Sequence, residues 1–140
     1  GYGRAEKFIS SSGIVRDAPH IYAIGEPKLN EWGLAGDWTV HGENAALNAP
    51  GGKIVYRFHA RDLHLVLGPA ADGKPVRFVV RIDGARPGVH HGSDIDEAGQ
   101  GTVLGHRLYQ LIRQNGNVQD HTFEIEFLDP NVQSYAFTFG

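Results

Sequence analysis

The strongest constraint on this chain lies in Lys53–Pro69, KIVYRFHARDLHLVLGP, and in its continuation Pro75–Gly84, PVRFVVRIDG. Ile54, Tyr56 and Phe58 alternate with Val55, Arg57 and His59. After Ala60-Arg61, Leu63, Leu65 and Leu67 alternate with Asp62, His64 and Val66. Val76, Phe78, Val80 and Ile82 then alternate with Arg77, Val79 and Arg81. Residues two apart share one face of a pleated strand, so each run predicts a strand with one apolar side. Such faces must be covered by a further set of strands. The spacing therefore predicts an all-β domain, with the first two runs forming a central hairpin.

The remainder of the chain fits the same plan. Asn48–Gly52 (NAPGG) and Pro69–Lys74 are turn signals on either side of the central runs. Trp32 and Trp38 bracket a Gly-rich turn, and Asp37–Val40 pairs with Ala45–Leu47 across His41-Gly42. A tryptophan placed where a strand begins is expected to be buried. Gly84–Gly101 is the longest loop without periodicity, which marks it as functional or flexible, and its His90–Gly101 part is expected to be dispensable for folding and to hold no metal tightly. Thr102–Gln114 carries both a helical stripe (Leu104, Leu108, Leu111, Ile112) and a strand alternation; Gly105 and the flanking turns favour strand. Asn115-Gly116-Asn117 predicts a hairpin onto Asp120–Leu128, where Phe123, Ile125 and Phe127 alternate with Glu124 and Glu126. Asp129-Pro130-Asn131 turns into a last strand, Ser134–Phe139, with Tyr135, Phe137 and Phe139 on one face. Many short strands between regular turns predict a β-sandwich of jelly-roll type. Its expected core is Ile54, Tyr56, Phe58, Leu63, Leu65, Leu67, Phe78, Val80, Ile82, Phe123, Ile125, Phe127 and Phe137. Residues 1–36 read as a linker and lead-in packing on the sandwich, and residues 37–140 as the sandwich itself.

Composition narrows the function. At 140 residues the chain suits one domain, and a 41% hydrophobic content fits a globular protein. A formal net charge of −3 with no basic run argues against nucleic acid as a partner. No apolar stretch approaches the ~20 residues of a spanning helix, and no signal peptide is visible, so no membrane contact by this segment is expected. The absence of cysteine removes disulfides, thiolate nucleophiles and zinc–thiolate sites. The absence of methionine, with the GYGRAE start, suggests a segment cut from a longer protein.

IVYRFHARDLHLVLGP, PVRFVVRIDG, RLYQLIRQ, TFEIEFLDP and the terminal YAFTFG together resemble the C-terminal domain of DipZ/TlpA-type thiol–disulfide proteins, relatives of cytochrome c biogenesis factors. The resemblance covers the whole chain. It implies a sandwich like those of carbohydrate-binding modules, following an extracytoplasmic thioredoxin-like domain in a membrane-anchored or exported protein. It implies no cofactor. The Cys-x-x-Cys of the redox domain is absent here, so no redox residue can be carried over.

Three constellations bear on chemistry. His90-His91 followed by Asp94, Asp96 and Glu97 is the densest set of metal-ligand types, and Asp94-x-Asp96-x-x-Gly99 superficially matches the start of a calcium loop. Ala98 stands where a third oxygen is needed and no closing acid follows, so a solvated turn is expected; Asp94 and Asp96 are the only metal candidates. Histidines 41, 59, 64, 106 and 121 lack the His-x-His spacing of jelly-roll metal sites, and Ser10-Ser11-Ser12 lacks a nucleophile elbow. Glu124 and Glu126 share a strand face without an opposing acid, which says little for glycosidase chemistry. The third set is Arg57, His59, Arg77 and Arg81, with Tyr109, Gln110 and Arg113. Guanidinium and amide groups on a sheet can hydrogen-bond a saccharide while an aromatic stacks on it. The plainer expectation is that these arginines pair with Glu124, Glu126 and Asp83 across strands.

The sequence thus predicts a module without catalytic activity that recognises a ligand, with carbohydrate as the candidate and its own thioredoxin-like domain as partner. The alternative is a protein-interaction module that packs on the redox domain, shapes its substrate cleft or mediates dimers.

Overall fold

The computed structural model describes residues 7–10 and 13–140. The GYGRAE start and Ser11-Ser12 lie outside the described residues. Among the described residues there are ten strands: β1 Pro19–Tyr22, β2 Trp32–Val40, β3 Ala45–Leu47, β4 Lys53–Phe58, β5 Asp62–Gly68, β6 Val76–Ile82, β7 Gln100–Val103, β8 Arg107–Arg113, β9 His121–Phe127 and β10 Gln133–Phe139. All their pairings are antiparallel. One layer, the β4 sheet, runs β7-β6-β9-β4 and ends on the first half of β2. The other, the β5 sheet, starts on the second half of β2 and runs β3-β10-β5-β8, with β1 on the remaining edge of β2. From β3 onward every strand changes layer except β6 to β7. The resulting orders, β3-β10-β5-β8 against β4-β9-β6-β7, are those of a jelly-roll sandwich.

The core fills the space between the layers. Eleven of the expected residues are buried there; Tyr56 and Phe137 are half-buried against them. Rings interlock from sheet to sheet: Trp38 meets Phe127 at 5.9 Å, Phe78 meets Tyr109 at 6.5 Å and Tyr56 meets Phe137 at 4.9 Å, all edge-on. Each such pair adds roughly 0.5–1.5 kcal/mol beyond the area it buries.

Several local expectations are corrected. β4 and β5 do not form a hairpin; residues 59–61 carry the chain from one sheet to the other. Period-2 spacing reports which face is apolar, and that is the same whether two strands lie side by side or face one another. For the same reason β8 and β9 are not a hairpin: β8 pairs β5, while β9 lies between β4 and β6. The connection is clamped by buried Gln114, whose amide donates to the carbonyls of Ala60 and Gln119, both at 2.9 Å, and accepts from the Gln119 N–H at 3.0 Å.

Trp32 and Trp38 do not bracket a turn either. They lie on one nine-residue strand that bends between the sheets at Gly36, where φ is +100° and a Cβ would sit 2.9 Å from the Gly52 Cα. Only glycine suits both demands. Trp38 is fully buried as expected, and its indole N–H donates to the Ala35 carbonyl; Trp32 is only half-buried. Within Thr102–Gln114 the strand reading holds, but as two strands parted at Leu104–His106. A bulge opposite Leu63/His64 buries both Leu111 and Ile112, which breaks the alternation. A second irregularity between Ser134 and Phe137 separates Tyr135 from Phe137 and Phe139: Tyr135 stacks on His106 at 4.6 Å instead.

Candidate functional site

The outer face of the β4 sheet carries part of the set expected from sequence. Register puts Arg77 beside Thr102 and Val79 beside Gln100. It also puts Arg81 beside Glu124 and Val79 beside Glu126, with Lys53, Val55 and Arg57 completing the face on β4. The cross-strand ion pairs expected from these charges are present. Arg81 Nη1 donates to Glu124 at 2.7 Å and Glu126 at 2.9 Å, and Lys53 lies 3.6 Å from Glu124. Arg57 donates to the Thr122 hydroxyl at 3.1 Å and lies 3.5 Å from Asp83. Arg77 takes an unforeseen partner: Nε and Nη2 grip Asp129 at 3.0 and 2.9 Å, and the Arg77 amide adds a third bond at 2.9 Å. Those bonds hold the Asp129 carboxyl down at about 2, the guanidinium hydrogen bond contributing most. Burial pushes Asp83 upward, but the Thr122 amide and the His121 ring outweigh it and leave Asp83 below its ordinary value.

Two adjoining hollows open along β6 and β7 on this face, of about 420 and 350 Å³. They share Val79 and Gln100. The first is completed by Arg81, Gly84, Ala85, Arg86 and Ala98; the second by Arg77, Phe78, Gly101, Thr102 and Leu128. Both volumes fall in the range of about 300–1,000 Å³ usual for small-ligand clefts. Arg86, Gln100 and Thr102 were missed by sequence reasoning. Gln100–Val103 reads as the tail of an aperiodic loop, and Arg86 as one residue of that loop. The turn residue Asp83-Gly84 just before it was the only available sign.

The other expected residues are not on this face. Tyr109 belongs to β8 in the opposite sheet and is 1% exposed, so it cannot act as an exposed stacking platform. Its hydroxyl donates to the Gly105 carbonyl at 2.7 Å and accepts from the Leu104 and Gly105 amides, while Arg107 lies over its ring at 3.8 Å. Register is the reason: Tyr109 lies opposite the inward-facing Leu65 and points into the core with Leu111, where the alternation by itself left either face open. Gln110 and Arg113 are exposed on that same strand; Arg113 lies 3.7 Å from Asp62. His59 follows β4 and bonds Asp120 through Nδ1 at 2.6 Å.

The 84–101 loop is built into the fold. Asp94 accepts from Arg107 at 2.9 Å and from the Gln110 amide at 2.6 Å, and Asp96 accepts from the Gln100 amide at 2.8 Å. Burial raises Asp94, yet these donors prevail and keep it below its ordinary value. Among the described residues no three histidines, aspartates or glutamates are placed to hold a metal ion. Residues 91–94 lie along the free edge of β8, through the His91–Ile112 bridge and the Gly92 and Asp94 amides on Leu111 and Gln110. Ile95 is buried in the core. The expectation that His90–Gly101 is dispensable for folding is therefore corrected.

The outer face of the β5 sheet is different in character. Val66 and Leu108 are cross-strand neighbours, and the His106 ring packs over Gly68 and on Tyr135. Leu108 is 39% exposed, and Leu104, before β8, is 68% exposed.

Comparison with known proteins agrees with this architecture. No curated protein matches the chain. A family two carbohydrate esterase from Clostridium thermocellum, in complex with cellohexaose, superposes with a TM-score of 0.52 at 14% identity. The match covers 70% of this chain but 27% of the esterase. An active-site mutant of a family two esterase from the same organism matches over the same shares, with a TM-score of 0.51. At this identity the likeness bears on the fold alone. The family match is broader: the thioredoxin-like C-terminal domain family covers residues 1–140. With its jelly-roll sandwich and its cysteine-free sequence, this chain belongs to the thioredoxin-like C-terminal domain family.

Proposed function

We propose that this domain is the recognition module, without catalytic activity, of an extracytoplasmic DipZ/TlpA-type thiol–disulfide protein, and that its ligand is a carbohydrate of the cell envelope. The observation that supports the reading is the match of the full chain to the thioredoxin-like C-terminal domain family. With no cysteine of its own, the module leaves redox chemistry to that domain. The hollows along β6 and β7 supply what a saccharide needs, apart from an aromatic platform: amide and guanidinium donors around the apolar Val79. Two or three hydrogen bonds near 1 kcal/mol each, with some apolar contact, suit a dissociation constant near ~1 mM, about −4 kcal/mol. Tethering to the redox domain raises the local concentration and makes weak binding useful.

The second reading, a protein-interaction module, is favoured by the exposed Leu108 beside Val66 and by the His106–Tyr135 stack on the β5 sheet. An NMR titration with envelope-type saccharides, then with the thioredoxin-like domain, separates the two. Shifts at Val79, Arg81 and Gln100 on adding sugar, lost in Arg81→Ala, support the carbohydrate reading. No response to sugar, together with shifts at Leu108 and Tyr135 on adding the redox domain, hands the function to the second.

A further inference from the structure

Charge on the β4 sheet is almost entirely spent. Arg81 and Lys53 face Glu124 and Glu126; Arg77 faces Asp129; Arg57 faces Asp83. Arg86 is the exception. It lines the larger hollow, is exposed, and makes no hydrogen bond or ion pair with the described residues. Arg81, across the same hollow, meets both glutamates through Nη1 alone. Its Nε and Nη2 have no acceptor among the described residues. The Gln100 backbone is tied to Asp96, but its side-chain amide is likewise uncommitted. Two guanidinium groups and a primary amide thus line a hollow together with Val79, and the two arginines are the charged side chains among its lining residues.

Planar guanidinium donors match a carboxylate with two parallel hydrogen bonds, which a hydroxyl cannot reproduce. The branched side chain of Val79 beside them offers van der Waals contact to the C–H groups of a sugar ring. We infer that the hollow formed by Arg81, Arg86 and Gln100 selects a carboxylated saccharide, a glycan bearing a uronic-acid or similar acidic sugar, over its neutral counterpart. This inference rests on the carbohydrate reading above and adds the ligand class. Arg86 supplies the unpaired charge, Arg81 and Gln100 the directed hydrogen bonds, and Val79 the apolar contact.

The test is calorimetric or NMR titration of the domain with tri-galacturonate and with the neutral galactose trimer, at low and at 500 mM salt. The expected result is at least tenfold tighter binding of the acidic trimer at low salt, reduced severalfold by high salt because screening weakens exposed charges. Arg86→Ala should bring the acidic trimer to the affinity of the neutral one and leave the neutral one unchanged. Arg86→Glu should make it the weaker ligand. Arg86 is an exposed loop residue, and an unchanged melting temperature verifies that each variant is folded. Equal affinity for the two trimers, or a preference that survives Arg86→Ala, overturns the inference while leaving the carbohydrate reading standing. Binding of neither trimer, nor of any other envelope saccharide, overturns both. Equal binding of a tri-glutamate peptide would mean simple charge attraction and would also overturn it.

Discussion

Replacing Ile95 by alanine tests whether the 84–101 loop belongs to the folding unit. Ile95 is 5% exposed and packs in the core between the sheets. The substitution removes three carbon groups at about 0.8 kcal/mol each, a transfer loss of roughly 2.4 kcal/mol. A residual cavity of ~40 Å³ adds about 1 kcal/mol, since the edge of β8 holds the neighbouring residues 91–94 and limits collapse. The expected loss is about 3 kcal/mol, well inside the ~5–15 kcal/mol stability of an ordinary domain, so the variant should still fold. In urea, with a slope near ~2 kcal/mol/M, the midpoint should fall by about 1.5 M at unchanged slope. Gly92→Ala is the companion. Its Cβ would lie 2.3 Å from the Gln110 carbonyl oxygen and 2.6 Å from its carbon, both backbone of β8, so no side chain can step aside. A loss of at least about 2 kcal/mol is expected. Midpoint shifts below about 0.5 M for both variants would mean that the loop is an appendage, and the reasoning would fail.

Three further outcomes are expected. Phe78→Ala and Phe127→Ala, which each empty a ring site from the fully buried core, should cost roughly 3–5 kcal/mol in the same assay. Tyr109→Phe should cost about 1–3 kcal/mol by stranding the Leu104 and Gly105 amides and the Gly105 carbonyl, a loss that an exposed tyrosine would not produce. The Asp129 carboxyl, followed by NMR, should titrate near about 2 and return toward its ordinary 3.8 in Arg77→Ala. A carboxylate depressed on folding stabilises the native state above pH 3.8 and loses that contribution as pH falls to about 2, so the wild type should lose more stability across this window than the variant.

How much of this was legible in the sequence follows from what periodicity encodes. Alternation in Lys53–Phe58, Asp62–Gly68, Val76–Ile82 and His121–Phe127 identified strands and their buried sides, because burial of one face leaves a period of two. It did not identify neighbours: a strand pairs through its backbone, which every sequence shares, so both predicted hairpins turned out to be crossings. Bulges were equally silent, since the extra residue at Leu111 buries two consecutive apolar positions and no pattern in RLYQLIR marks the slip. The candidate site suffered from both gaps. Arg77 and Arg81 were recognised from outward positions on one strand, and their ion pairs from the facing charges of Glu124 and Glu126. Gln100 joins them only because β7 returns to pair with β6 after a long excursion, Arg86 through the turn that follows β6, and Tyr109 left the set because it lies opposite Leu65 and faces the core.

The place of β10 has a consequence for how such a chain is made. It lies between β3 and β5, in the middle of its sheet, yet it is formed by residues 133–139. β3 and β5 have no direct pairing with one another, so half of the sandwich stays open until those residues have emerged during synthesis. Leu63, Leu65 and Leu67 of β5 then lack their β10 neighbours while the nascent chain is being extended. Final closure must wait for residues 133–139, and a chain cut before them would hold an apolar, unpaired sheet edge open to chaperones or aggregation.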